Sequence, residues 1–256
     1  MGKLDGKVAF VSGGSQGIGA EAALLFGREG AKVAVLASGS LAKAEAVAAQ
    51  IRAAGGKASA HVADVRDAAA LAAAVAAAEA AHGPIDILVN SAGVFPPTPC
   101  GTTDEGTYDA VMDINVKGTW NTIAAISPSM RARKTGWIVN VSSVLGAMAL
   151  ANYAVYCASK GAVNMLTRSL AIEFGRDGVH VNAIAPGNTA SPMNENLRTE
   201  AQYAGFVEAM GARTPSGRTY SKPQEMALAI LYLSCADSMP VHGAILTLDE
   251  GFSLGF

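Results

Sequence analysis

Charge is scarce in this sequence. Asp, Glu, Lys and Arg make up 16% of its 256 residues, and the formal net charge is −2. Nothing in that balance favours a nucleic acid or an anionic membrane, and neither is expected as a partner. Cysteine is scarcer still. Cys100, Cys157 and Cys235 stand far apart with no metal or redox spacing, which excludes a disulfide framework and reads as free thiols in a reducing cytoplasm. The four histidines form no ligand pattern, so no catalytic metal is expected. Met1 to Lys7 contains no apolar signal core, which again points to the cytoplasm. One run, Thr135 to Ser159, carries no charge and is long enough to cross a bilayer. It is interrupted by Gly136, Asn140, Ser142, Ser143, Gly146, Asn152 and Ser159, so a strand, a loop and a helix start explain it better.

What is present is hydrophobic: half of the residues are apolar, enough for one large α/β domain with a sizeable core. Strand and helix patterns alternate along the chain. Strands are predicted near 7–12, 31–36, 57–62, 85–90, 136–142, 179–184 and 244–249. Helices are predicted near 17–29, 41–54, 67–81, 104–132, 152–175 and 223–235. The alanine-rich segment from Asp67 to His82 is a good helix former. The alternation implies a doubly wound, mostly parallel seven-stranded sheet of Rossmann type, covered by helices on both faces. No repeat, linker or charge run marks a second domain, so residues 1–256 are expected to form one. The least regular stretch is 188–220. Ligands in such folds sit at the carboxyl ends of the strands, so this stretch is expected to be a mobile substrate lid.

The first strand pattern runs directly into a glycine turn, Ser12 to Gly19, and then a helix. Gly13, Gly17 and Gly19 let backbone N–H groups approach a pyrophosphate, and the helix N-terminus adds positive partial charge. Ser15, Gln16 and Ile18 fill the same turn. A nucleoside-triphosphate loop is disfavoured because Ala20, not Lys, follows the last glycine. A plain strand–helix linker is the competing reading.

Tyr156 and Lys160 stand four apart, a spacing that places both on one helical face. An ammonium there lowers the pKa of a phenol that otherwise titrates near pH 10. The hydroxyl of Ser143, thirteen residues upstream, can bind the same reacting oxygen. Tyr153 lies seven residues before Lys160, shares that face and rivals Tyr156. The closer spacing favours Tyr156 and leaves Tyr153 as a pocket wall.

Together these motifs resemble the classical short-chain dehydrogenase/reductase family, including its 3-oxoacyl-carrier-protein reductases. Ser12 to Gly19 matches the family's glycine motif with Ser for Thr. Asp64 and Val65 look like its adenine-contacting pair. Asn90, Ser91, Ala92 and Gly93 match its Asn-Asn-Ala-Gly motif with one substitution. Asn115, Ser143, Tyr156 and Lys160 fall on its catalytic positions, and Pro186 and Gly187, followed by Thr189, fall on its nicotinamide-bordering motif. The resemblance covers about Lys3 to Phe252.

The resemblance implies hydride transfer between a nicotinamide cofactor and a carbonyl or secondary alcohol. Tyr156 would be the general acid/base, and Lys160 would lower its pKa and hold the nicotinamide ribose. Ser143 would bind the substrate oxygen, and Asn115 would hold a water linking Lys160 to solvent. Asn115 could equally satisfy backbone groups within its own helix.

Candidate substrate-pocket residues are Phe95, Leu145, Met148, Tyr153, Met193 and Phe206, each of which could equally be core. Their apolarity suggests an uncharged or weakly polar small molecule. Arg131, Arg133 and Lys134 could dock an acidic carrier or be a solvated helix end.

The acidic residue that selects NAD at the end of the second strand is replaced by Ala37. The family's usual basic positions are Gln16 and Ser38. Ser38, Gly39 and Ser40, with Lys43 beyond, make a fair phosphate cradle, although Ser40 could be only an N-cap. NADP(H) is therefore expected to be preferred, with NAD(H) possible. The resemblance also implies a homotetramer, or at least a dimer, in which the helix over 152–175, with Val155, Val163, Leu166, Leu170 and Phe174 beside its catalytic face, packs across a two-fold axis. A non-catalytic nicotinamide-binding sensor or scaffold and a methyltransferase of similar fold are the remaining alternatives.

Overall fold

The computed structural model describes residues 2–254. Among them, seven strands form one sheet in the order β3-β2-β1-β4-β5-β6-β7, and every adjacent pair is parallel. The strands are β1 (Val8–Ser12), β2 (Lys32–Ala37), β3 (Lys57–Val62), β4 (Ile87–Asn90), β5 (Gly136–Val141), β6 (Val179–Pro186) and β7 (Ile245–Leu248). Their central members are buried along nearly their whole length, as parallel strands covered by crossover helices must be.

The crossovers are α1 (Gly17–Arg28), α2 (Leu41–Ala53), α3 (Ala68–His82), α4 (Glu105–Met112), α5 (Gly118–Arg133), α6 (Ala154–Phe174) and α9 (Pro223–Leu233), with α7 (Glu195–Thr199) and α8 (Ala204–Ala212) between β6 and α9. One core lies under α1, α2 and α9 and includes Phe26, Ile51, Val35 and Ile230. The other lies under α3, α5 and α6 and includes Phe10, Leu71, Met130 and Phe174. The uncharged run at 135–159 divides among β5, a short turn at Val144–Gly146 and the start of α6. Among the described residues, no helix is long and apolar enough to cross a membrane.

Three expectations need correction. The single helix predicted over 104–132 is two helices joined by a wide π turn, Asp113–Lys117. The Thr119 hydroxyl donates to the Asn115 carbonyl at 2.8 Å and competes there for the acceptor of the regular helix. Residues 188–220 are less irregular than their composition suggests, since they include α7 and α8. Both ends of this segment are tied to each other. The Ser221 N–H donates to the Asn188 carbonyl at 2.9 Å, and the Ala190 N–H donates to the Ser221 carbonyl at 3.0 Å. Finally, Val163, Leu170 and Phe174 are buried within this chain and cannot serve an intersubunit face. The exposed apolar side chains of α6 are Met165 and Ile172, one helical heptad apart.

Candidate active site

The loops that follow β1 to β6 converge on one cleft of about 1070 Å³ at the carboxyl edge of the sheet. It straddles β1 and β4, where the strand order reverses.

At one end lies the glycine turn. Gly13 has φ +64°, and a Cβ placed on it would fall 2.6 Å from the Ala92 nitrogen. A Cβ on Gly19 would meet the Gly13 carbonyl oxygen at 2.3 Å. These positions therefore require glycine for the turn to close. Gln16 caps α1 without a side-chain hydrogen bond, which leaves the first-turn N–H groups directed at the cleft. Ser15, Gln16, Gly17 and Ile18 line it, so the turn fits a dinucleotide pyrophosphate. Gly19 does not reach the cleft; it is buried beneath the turn and serves its packing.

Ala37, Ser38, Lys43, Asp64, Val65 and Arg66 line the outer end. Arg66 grips Asp64 in a forked pair, Nη2 to Oδ2 at 2.7 Å, and holds that carboxyl below its usual range. Ser40 is an N-cap of α2, accepting from the Lys43 N–H at a long 3.4 Å. Ala92 and Gly93 border the middle of the cleft, and Pro186, Gly187 and Thr189 its inner part. Asn90 does not. It lies opposite Asn140 in the sheet, donates to the Asn140 amide oxygen at 2.9 Å, and accepts from the Thr122 hydroxyl. The strand's alternation turns its side chain into the core, where these partners satisfy it.

Ser143, Tyr156 and Lys160 meet at the inner end. The Ser143 hydroxyl accepts from the Leu145 N–H at 3.1 Å and lines the cleft together with the Tyr156 phenol. Lys160 Nζ donates to the Val141 carbonyl at 2.8 Å and lies 5.7 Å from the centre of the Tyr156 ring. Burial moves both groups toward their uncharged forms. The phenol is pushed up to about 12, with the nearby Ser143 hydroxyl opposing, and the ammonium is pushed down to about 8.

Asn115 is fully buried beside this set. Its side chain accepts from the Val94 N–H at 2.9 Å and donates to the Val94 carbonyl at 3.0 Å and to the Ser159 hydroxyl at 3.1 Å. It satisfies backbone groups, as one reading held, but across the β4 loop and not in its own helix. That clamp fixes Gly93 and Val94 against α6.

Phe95 stacks on Tyr153 with ring centres 4.3 Å apart and meets Tyr156 edge-on at 4.5 Å. Tyr153 thus forms wall, as do Leu145, Met148 and Met193. The Phe206 side chain lies outside the described residues. Sequence reasoning missed Tyr203, Met210, Arg213, Tyr220 and Phe252, which also line this lobe. They come from segments without hydrophobic periodicity, and only the fold assembles them. Among the described residues, no cluster of His, Cys, Asp and Glu suits a metal.

The basic cluster beside α5 is not free. Arg131 pairs with Asp177 at 2.7 Å and Glu173 at 3.1 Å, Lys134 with Asp177 at 3.0 Å, and Arg133 with Asp86 at 2.8 Å.

Residues 7–202 match the protein family described as short chain dehydrogenase. The chain is 38% identical to the oxidoreductase UcpA of Salmonella typhimurium, over 99% of this chain and 97% of that one. It is 39% identical to the galactitol 2-dehydrogenase (L-tagatose-forming) of Cereibacter sphaeroides, over 98% and 97%. The structure of a gluconate 5-dehydrogenase from Burkholderia cenocepacia, in complex with NADP and tartrate, superposes with a TM-score of 0.92 at 33% identity, covering 99% of this chain and 98% of that one. With the glycine turn, the parallel sheet and the Ser–Tyr–Lys cluster in place, the chain is an oxidoreductase belonging to the short chain dehydrogenase family.

Proposed function

We propose that this protein transfers a hydride reversibly between a nicotinamide cofactor and a carbonyl or secondary alcohol, with Tyr156 as general acid and base. The observation that carries this reading is the convergence of Ser143, Tyr156 and Lys160 at the inner end of a dinucleotide-shaped cleft. The glycine turn would hold the pyrophosphate, Asp64 and Val65 the adenine, and Lys160 the inner ribose. When bound there, the nicotinamide supplies the hydride and, in its oxidised form, a positive charge.

In reduction, the Tyr156 phenol gives its proton to the substrate oxygen as negative charge develops, and Ser143 donates a hydrogen bond to the same oxygen. Oxidation reverses both roles. A base active near neutrality needs the phenol brought down from about 12, which is on the order of 7 kcal/mol. One cation roughly 5 Å away contributes about 3 kcal/mol at an effective dielectric of about 20. Lys160 acts in that direction, and a second positive charge would add to it.

NADP(H) is the preferred cofactor in this reading and NAD(H) a poorer one, since Ala37 offers no carboxylate to repel a 2′-phosphate. The 188–220 segment acts as the substrate lid. Docking of an acidic carrier gains no support, because Arg131, Arg133 and Lys134 already have carboxylate partners. A cytoplasmic homotetramer completes the proposal.

A panel of ketones and alcohols, followed by nicotinamide absorbance with both cofactors, tests the activity. Tyr156→Phe should lower kcat by more than about tenfold while cofactor binding persists. Tyr153→Phe should be much milder, and the opposite order would exchange their roles.

A further inference from the structure

We infer that the substrate of this site carries a carboxylate, and that Arg213 at the end of α8 binds it. The inference rests on the oxidoreductase reading above and names its substrate class. Two interlocked contacts place Arg213 at the inner lobe. A Cβ on Gly187 would fall 2.7 Å from the Asp249 Cβ, so the 249–252 segment lies against the loop that follows β6. A Cβ on Gly251 would fall 2.7 Å from the Pro215 ring, so the turn after α8 is seated on that same segment. The buried Thr214 hydroxyl, 2.8 Å from the Gly211 carbonyl and 3.0 Å from that of Arg218, fixes the turn internally.

The guanidinium carbon of Arg213 lies 5.0 Å from the centre of the Phe252 ring, in a cation–π contact. That contact occupies a face of the guanidinium, whereas its N–H donors lie in the plane and point outward from the edge. Arg213 is exposed to solvent, and among the described residues no carboxylate pairs with it. Such a planar fork matches a carboxylate.

The surroundings favour the same ligand. Asp64 is the one carboxylate among the described residues lining the cleft, and it lies at the far end gripped by Arg66. The inner lobe thus offers an anion attraction without a competing acid. Tyr153, Tyr203 and Tyr220 line the same cleft and offer phenol donors. The apolar lining expected from sequence is present, and the exposed Arg213 adds to it a cation that an uncharged substrate would leave to solvent.

Levulinate and its methyl ester provide the test, since they differ in the charge and share the ketone. With NADPH, wild type should reduce levulinate with a kcat/KM about tenfold or more above the ester's, chiefly through KM. Arg213→Met should bring the acid down to the ester's level, and Arg213→Lys should restore part of the difference. Equal treatment of acid and ester by wild type, or an equal proportional loss of both in Arg213→Met, would overturn the inference. Calorimetric titration of the NADP-loaded protein with each compound separates it from the oxidoreductase reading. Selective levulinate binding that Arg213→Met abolishes supports the carboxylate site even without turnover, whereas no selective binding refutes it.

Discussion

At the scale of single residues, Lys160 carries the clearest thermodynamic signature. Its ordinary value of 10.5 falls to about 8 in the folded chain through burial. Between those values the unfolded chain binds more protons than the folded one, so stability rises with pH across that window and is lost again as pH falls through about 8. The difference amounts to about 3 kcal/mol. In cofactor-free urea melts, wild type should therefore gain that much on Lys160→Met between about pH 8 and the ordinary lysine value. A gap that stays flat with pH would mean that the ammonium is solvated. Ala37 supports a second prediction. Buried at the end of β2, it presents no charge to the ribose. Ala37→Asp should shift kcat/KM toward NADH by about tenfold or more, by placing a carboxylate against the phosphate of NADPH. A wild-type preference for NADH of that size would leave Ser40 as a plain cap. The meeting of Tyr156 and Lys160 in the cleft was legible because their spacing is one that a helix fixes. Gly19 and Asn90 belong to the same motifs yet face the core, since motif membership does not say which way a side chain turns. Arg213 was illegible because its meaning depends on Phe252 and on the distant loop that follows β6.

At the scale of elements, the strands were legible almost to the residue. Parallel strands buried on both faces leave short apolar runs that glycine and polar turns bound sharply. The one cap weighed from sequence is present: Ser40 accepts from the Lys43 N–H at 3.4 Å at the start of α2. The π turn was not. It coincides with a threonine hydroxyl at Thr119 bonded to the Asn115 carbonyl and an Asn115 amide that reaches across to Val94, and neither leaves a periodic trace. The helices α7 and α8 were missed for another reason. Helices this short owe their stability to what they lie against, and their own sequence does not announce them.

At the scale of the whole molecule, the chain exposes apolar side chains on two separate faces. Ile172 is 85% exposed and Met165 59%, with Trp120 and Tyr108 on the neighbouring helices α5 and α4. Leu228 and Tyr232 stand exposed on α9, with Met239 just beyond it. Two unrelated faces of this kind suit two different two-fold contacts, which together close a tetramer. Light scattering at micromolar concentration should give a tetramer mass, and Ile172→Glu should reduce it to a dimer; a wild-type monomer would refute the assembly.

The bond between the two ends of the 188–220 segment has a further consequence. Because Asn188, Ala190 and Ser221 close that loop by main-chain contacts, its closure does not depend on what lies between them. Doubling the length of such a loop costs only about 0.6 kcal/mol. A lineage could therefore rewrite the intervening residues, Arg213 among them, without disturbing Ser143, Tyr156 or Lys160. Under the roles proposed above, selectivity and chemistry would be inherited on separate stretches of the chain, so descendants of one ancestor could diverge in what they recognise while retaining how they move a proton.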